Sequence, residues 1–240
     1  MHLIERAVIM AAGEGRRLRP ITQETPKPLI PVNGTRMIDT AIRALRANGI
    51  AEIYVVVGYR RQCYAALPAQ YPGLTLIENP YYDACNNISS AFVARQFLRD
   101  AILMEADFLL CNHEMLRPEF TRSAYCALRV PQPNPEEWML TLDGAGTIVS
   151  CAADGSAGTH QLFGISFWTA EDGARLAAHL ERAFLEEGRR DVYWDTLPLF
   201  AYAAEYALGV RELGGGDIVE IDTLEDLIKA DPVYAGYGGK

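Results

Sequence analysis

The chain has 240 residues, half of them hydrophobic and 22% charged, enough apolar material for one sizeable α/β core. A formal net charge of −9 argues against an extended basic face for nucleic acid or anionic membrane, and no stretch reaches the roughly 20 apolar residues of a bilayer span. The five scattered cysteines (Cys63, Cys85, Cys111, Cys126 and Cys151) form no CxxC pair, which fits reduced thiols in a cytoplasmic protein better than a disulfide framework. Met1 to Arg6 carries charge where a signal peptide would be apolar.

Residues 7–12 are a continuous apolar run, as a strand buried on both faces requires, and the run ends at Gly13. Ile38, Ala41, Ile42 and Leu45 follow a helical spacing over residues 37–47, with Asn48-Gly49 as the stop. Further strands are predicted at 53–58, 74–77 and 101–104, with a helix over 89–98. This alternation indicates parallel βαβ units whose ligands lie beyond the carboxyl ends of the strands. The second half predicts strands at 125–130, 138–142, 147–151 and 163–168, and helices at 171–187 and 223–230. Prolines make 131–135 irregular, suited to a hairpin tip over the site, and the Gly-rich tail after Asp231 is expected to fray. The expected fold is α/β, a Rossmann-like, mostly parallel or mixed sheet flanked by helices with a small β insertion over the site, one unit over residues 1–240.

The strongest local signal is Ala11-Ala12-Gly13-Glu14-Gly15-Arg16-Arg17-Leu18-Arg19-Pro20, followed by Thr25-Pro26-Lys27-Pro28-Leu29. Glycines after a buried strand bring backbone N–H groups close to a phosphate, and the neighbouring arginines and Lys27 concentrate positive charge in an otherwise acidic chain. A GxGxxG dinucleotide fingerprint fails at Leu18, and no GK[ST] follows for a P-loop. Asp107 ends a strand with Glu105 two residues earlier, on the same side. Val219-Glu220-Ile221-Asp222 repeats the acid-x-acid spacing at another strand end. Such acids suit Mg²⁺, which takes a few carboxylates plus phosphate oxygens and water. Asp222 could equally cap the helix that follows it. Trp138, Tyr193 and Asp195 are residue types that hold a quaternary ammonium, although aromatic residues also belong to cores. Arg129 could meet an acceptor phosphate or sit in a surface ion pair.

The GxGxRLxP loop followed by PKxL resembles the signature of the nucleotidyltransferases that make NDP-sugars and CDP-alcohols. Asn86-Asn87, Ser89-Ser90, Thr121-Arg122-Ser123, Glu137-Trp138, Gly164-Ile165-Ser166-Phe167-Trp168, Tyr193-Trp194-Asp195 and Glu220-Ile221-Asp222 resemble, in order, the bacterial CTP:phosphocholine cytidylyltransferases of the LicC type. The resemblance implies transfer of CMP from CTP to phosphocholine, or to 2-aminoethylphosphonate or another amino-alcohol phosphate. It also implies Mg²⁺ at Asp107, Glu220 and Asp222. Lys27 and Arg17 would act in catalysis. Ala11, Ala12, Gly13, Glu14, Gly15, Asn79, Asn86, Asn87 and Ser89 would hold the nucleotide, and Arg129, Trp138, Tyr193 and Asp195 the acceptor. Residues from about 1 to 120 would form the nucleotide half and 121–240 the acceptor half. A glycosyltransferase with Glu105-Ala106-Asp107 as its metal motif is a rival, but it would have no use for the Arg17 and Lys27 pair.

Overall fold

The computed structural model describes residues 1–238. At its centre is a nine-stranded mixed sheet. β1 (Arg6–Ala11), β2 (Glu52–Val57), β3 (Leu74–Glu78) and β4 (Ala101–Glu105) run parallel in the order β3-β2-β1-β4. β1 is apolar because both its faces are covered. Ala7, Ile9 and Ala11 pack with Ile38, Ile42 and Leu45 of α1 (Met37–Ala47), while Val8 and Met10 meet α2 (Ile88–Val93) on the other side. α1 ends at Gly49, whose φ of 78° only glycine adopts cheaply, with Ile50 N donating to Leu45 O at 3.0 Å. The chain leaves β1 for β2 on one side and returns to β4 on the other, so a crevice opens at the carboxyl ends of β1 and β4.

After β4 come the short β5 (Phe108–Leu110), then β6 (Ala124–Arg129), β7 (Met139–Leu142), β8 (Ile148–Ala152) and the long β9 (His160–Trp168). β9 lies antiparallel to β4, Trp168 opposite Ala101, and is flanked further along by β6 and β7, since His160 faces both Arg129 and Leu140. The 131–135 segment is irregular but closes no hairpin. It carries the chain between two strands on opposite sides of β9, and the β insertion consists of the β7–β8 pair extending the main sheet.

Among the pairings that escaped the sequence pattern, two lie in the C-terminal part of the chain. β10 (Gly209–Leu213) runs parallel to β6, and β11 (Ile218–Glu220) pairs antiparallel with β5, Glu220 opposite Phe108. α3 (Ala170–Glu181) continues without a break into a π-helical turn, Arg182–Glu186, so the helix predicted over 171–187 is present, its widened last turn setting Phe184 on Phe92 with ring centroids 4.3 Å apart. α2 stops at Val93 and gives way to a tight turn at Arg95–Phe97. α4 (Leu224–Ala230) begins with a Thr223–Asp226 capping box. The tail is less frayed than expected. Pro232–Tyr237 forms a turn fixed by Tyr234 Oη donating to Pro31 O at 2.6 Å, and only residues 239 and 240 lie outside the described residues.

Candidate active site

The crevice at the ends of β1 and β4 is an open cleft of about 600 Å³. Its floor is the glycine-rich loop leaving β1. Gly15 has φ 62°, and a Cβ there would lie 3.0 Å from both Lys27 Cβ and Thr22 Cγ2, so position 15 requires glycine twice over. Thr22 Oγ1 donates to Gly15 O at 2.9 Å and closes the loop. Nothing approaches within 4 Å of a Cβ built on Gly13, which leaves that part of the backbone open to the cleft beside Ala11 and Ala12. Glu14 is not on the cleft wall. Its carboxylate accepts from Arg16 at 2.8 Å and Arg19 at 3.0 Å, which hold it below the ordinary carboxylate range.

The charged centre is assembled by the β5–β11 pairing. Ile221 N donates to Asp107 O at 3.2 Å, which sets Asp222 beside Asp107 although the two are remote in sequence. Between them sits Lys27, its side chain 10% exposed and its Nζ 3.1 Å from Asp107 Oδ2 and 3.0 Å from Asp222 Oδ1. Burial works against the ammonium charge, but the two carboxylates outweigh it and raise its pKa above the ordinary lysine value. Arg17, mostly exposed, reaches Asp222 Oδ1 at 2.9 Å. Oxygens of Asp107, Glu220 and Asp222 lie within 4.8 Å of one another. Burial, then the Asp107 and Asp222 charges, push the Glu220 carboxyl up to about 8. Asp107 Oδ1 is buried without a hydrogen-bond partner. An orphaned carboxylate oxygen in a crowded acidic cluster is what a divalent cation would satisfy, and the all-oxygen donor set fits a hard ion.

On the wall formed by α2, Asn79 Nδ2 donates to Ser89 Oγ at 2.9 Å and Ser90 Oγ at 3.1 Å, and Ser89 Oγ donates in turn to Asn86 O at 2.8 Å. Asn79, Asn86, Asn87 and Ser89 all line the cleft. So does Tyr82, which the sequence reading overlooked. It follows the end of β3 and packs where Gly58 leaves room, since a Cβ on that glycine would sit 2.6 Å from the tyrosine. An aromatic residue just past a strand's carboxyl end was the signal available. Glu105, with Asp107 from the same strand end, also faces the cleft.

At the far end, Tyr193 is half-exposed on the cleft wall, with Trp138 edge-on at 5.8 Å and Phe200 edge-on to Trp138 at 5.6 Å. Trp194 is fully buried and stacks on Tyr125 at 5.8 Å. Asp195 is buried beside Tyr125 and is not on the cleft wall. Burial pushes its carboxyl up to about 7, partly offset by the adjacent Tyr125 hydroxyl. Asp195 Oδ1 and Tyr125 Oη both lack a partner of hydrogen-bonding geometry. Arg129 stands outside the cleft: strand alternation at the end of β6 turns it to solvent, opposite His160.

Residues 6–70, which carry the glycine loop and Lys27, match the Nucleotidyl transferase family. Over 95% of its length the chain is 36% identical to the 2-aminoethylphosphonate cytidylyltransferase of Lancefieldella rimae, covering 92% of that relative. It is also 32% identical to the choline-phosphate cytidylyltransferase of Streptococcus pneumoniae, covering 97% of it. The solved structure of the Streptococcus pneumoniae CTP:phosphocholine cytidylyltransferase LicC superposes with a TM-score of 0.88, over 96% of this chain and 99% of that one. The chain therefore belongs to the nucleotidyl transferase family and, within it, to the LicC-type cytidylyltransferases.

Proposed function

We propose that the enzyme transfers CMP from CTP to phosphocholine, forming CDP-choline and releasing pyrophosphate, with Mg²⁺ as its cation, in the cytoplasm. Among the described residues no helix is long and apolar enough to cross a membrane. The observation that carries the reading is Lys27 fixed between Asp107 and Asp222, at the mouth of a cleft that runs from the Gly13 loop to Tyr193. Ala11, Ala12, Gly13 and Gly15 would offer backbone to the nucleotide phosphates, and Asn86 its amide nitrogen towards base and ribose, with Asn79 and Ser89 bracing that wall through their mutual hydrogen bond. The acceptor phosphate oxygen attacks the α-phosphorus, and the bond from that phosphorus to the bridging oxygen breaks, releasing pyrophosphate. Lys27 offsets the repulsion between the two anions and the charge that grows in the transition state. Arg17 is exposed enough to leave Asp222 for the β- and γ-phosphates. Asp107, Glu220 and Asp222 would hold Mg²⁺, which when bound supplies Lewis-acid stabilisation of phosphate charge.

For the acceptor, Tyr193 backed by Trp138 offers aromatic surface to a quaternary ammonium that has no N–H to donate. A second reading has 2-aminoethylphosphonate as the acceptor. The 36% identity with a relative of that name favours it. Competition decides between them: both acceptors are offered together with CTP and the products are separated by mass. A kcat/KM ratio favouring CDP-choline supports the first reading, and a ratio favouring the phosphonate replaces it with the second.

A further inference from the structure

Asn87 lines the cleft, yet both ends of its amide are committed to protein partners. Its Nδ2 donates to Glu105 Oε1 at 2.8 Å, and its Oδ1 accepts from Trp194 N at 2.9 Å. Glu105 ends the central strand β4 and is fitted across Gly164, where a Cβ would lie 2.9 Å from the Glu105 side chain, so the anchor is part of the rigid sheet. The other partner belongs to a segment outside the sheet: residues 189–193 form no helix or strand and are held by no ladder of their own. A second tie holds the same segment, as Asn86 N donates to Arg190 O at 2.8 Å and Asn86 Oδ1 accepts from Asn87 N at 2.7 Å.

We propose that Asn87 is a positioning residue for acceptor recognition, clasping the Arg190–Asp195 segment to Glu105, and does not read the cytosine base. The inference rests on the reading that Tyr193 and its neighbours meet the acceptor. Trp194 is fully buried, so loss of the clasp leaves its N–H without a partner and frees Tyr193 to shift. Among the described residues no side-chain hydrogen bond joins Asn87 or Glu105 to the loop of Gly13 and Gly15 on the cleft floor, which separates the clasp from the CTP phosphates.

The test exchanges the polarity of the pair. N87D keeps an acceptor for Trp194 N but sets a carboxylate against Glu105 in place of a donor. KM for the acceptor should rise on the order of tenfold, the effect of one buried hydrogen bond lost and its partner unmet, while KM for CTP holds. In N87D/E105Q the introduced glutamine amide can donate to the introduced carboxylate, so every hydrogen bond and the net charge return and the acceptor KM should recover. A rise in KM for CTP with the acceptor KM unchanged would overturn the proposal in favour of base recognition. Failure of the double variant to recover, or to fold where N87D also does not, would overturn the clasp. The reference is whichever acceptor the unmodified enzyme turns over. If that is a sugar 1-phosphate, the functional reading fails, and the clasp is judged by the same comparison on that substrate.

Discussion

Replacing Lys27 with alanine removes the only buried cation among the described residues of the acidic cluster. Each contact, at 3.0 and 3.1 Å, amounts to roughly 5 kcal/mol of attraction at an effective dielectric of about 20, most of it offset by the cost of burying the ammonium. Breaking a buried pair nevertheless costs about 3–5 kcal/mol, because the surviving charges lose their partner. The half-open setting of Asp107 and Asp222, with side chains 23% and 31% exposed, places this case at the low end. Thermal melts without Mg²⁺ should show that loss, and added Mg²⁺ should recover much of it. Turnover should not recover. With the cation saturating and the fold intact, kcat is expected to fall about 100- to 1000-fold, as for other losses of a preorganised charge at the reacting phosphate. Pyrophosphate release from CTP and acceptor reports this directly. A Lys27→Ala enzyme that melts normally in Mg²⁺ and turns over within about threefold of the parent would refute the reasoning, leaving Lys27 a structural counter-ion only.

Asp107→Asn and Asp222→Asn should each remove Mg²⁺-dependent activity and abolish the cation's upward shift of the melting temperature, measured by scanning fluorimetry. Tyr193→Ala should raise KM for a quaternary-ammonium acceptor roughly tenfold, as the loss of a cation–π contact predicts, with little change for CTP; Tyr193→Phe should be close to neutral. Asp195 gives a pH signature. Its carboxyl is raised from 3.8 to about 7 in the fold, so between those values the folded chain binds more protons than the unfolded one. The stability this contributes is fully present below the unfolded pKa and is lost as pH rises through about 7. Melts of the parent without ligand should therefore weaken from about pH 5 to about pH 8 more than those of Asp195→Asn, and equal slopes would remove the group from the account.

Much of the cleft was legible because its determinants are local. The Ala7–Ala12 run and Gly13 define a strand end, and Asn48-Gly49 sets the end of α1 to the residue. Acid-x-acid spacing at two strand ends drew attention to Asp107 and Asp222, but only the β5–β11 ribbon explains their meeting, and strands of three residues each are too short for the sequence to pair them. β10 was missed for another reason. Arg211 and Glu212 break its apolar alternation, yet Arg211 donates to Met115 O and Glu119 O and covers the Phe167 ring at 3.9 Å, a use of arginine visible only in the fold. The amides of Asn79 and Asn87 are occupied by neighbours that no spacing rule connects. Asp195 was expected to face a ligand and is instead buried beside the Tyr125 hydroxyl, off the cleft wall. Arg129 lies on the solvent side because strand parity at the end of β6 depends on where that strand begins.

The most direct test of the central claim is pyrophosphate release by the unmodified protein with Mg²⁺, comparing CTP with UTP, ATP and GTP and offering phosphocholine, 2-aminoethylphosphonate, phosphoethanolamine and a sugar 1-phosphate in parallel. Release that requires CTP together with an amino-alcohol phosphate or phosphonate is the predicted result. Release only with a sugar 1-phosphate, or none with CTP and any of the four, would contradict it.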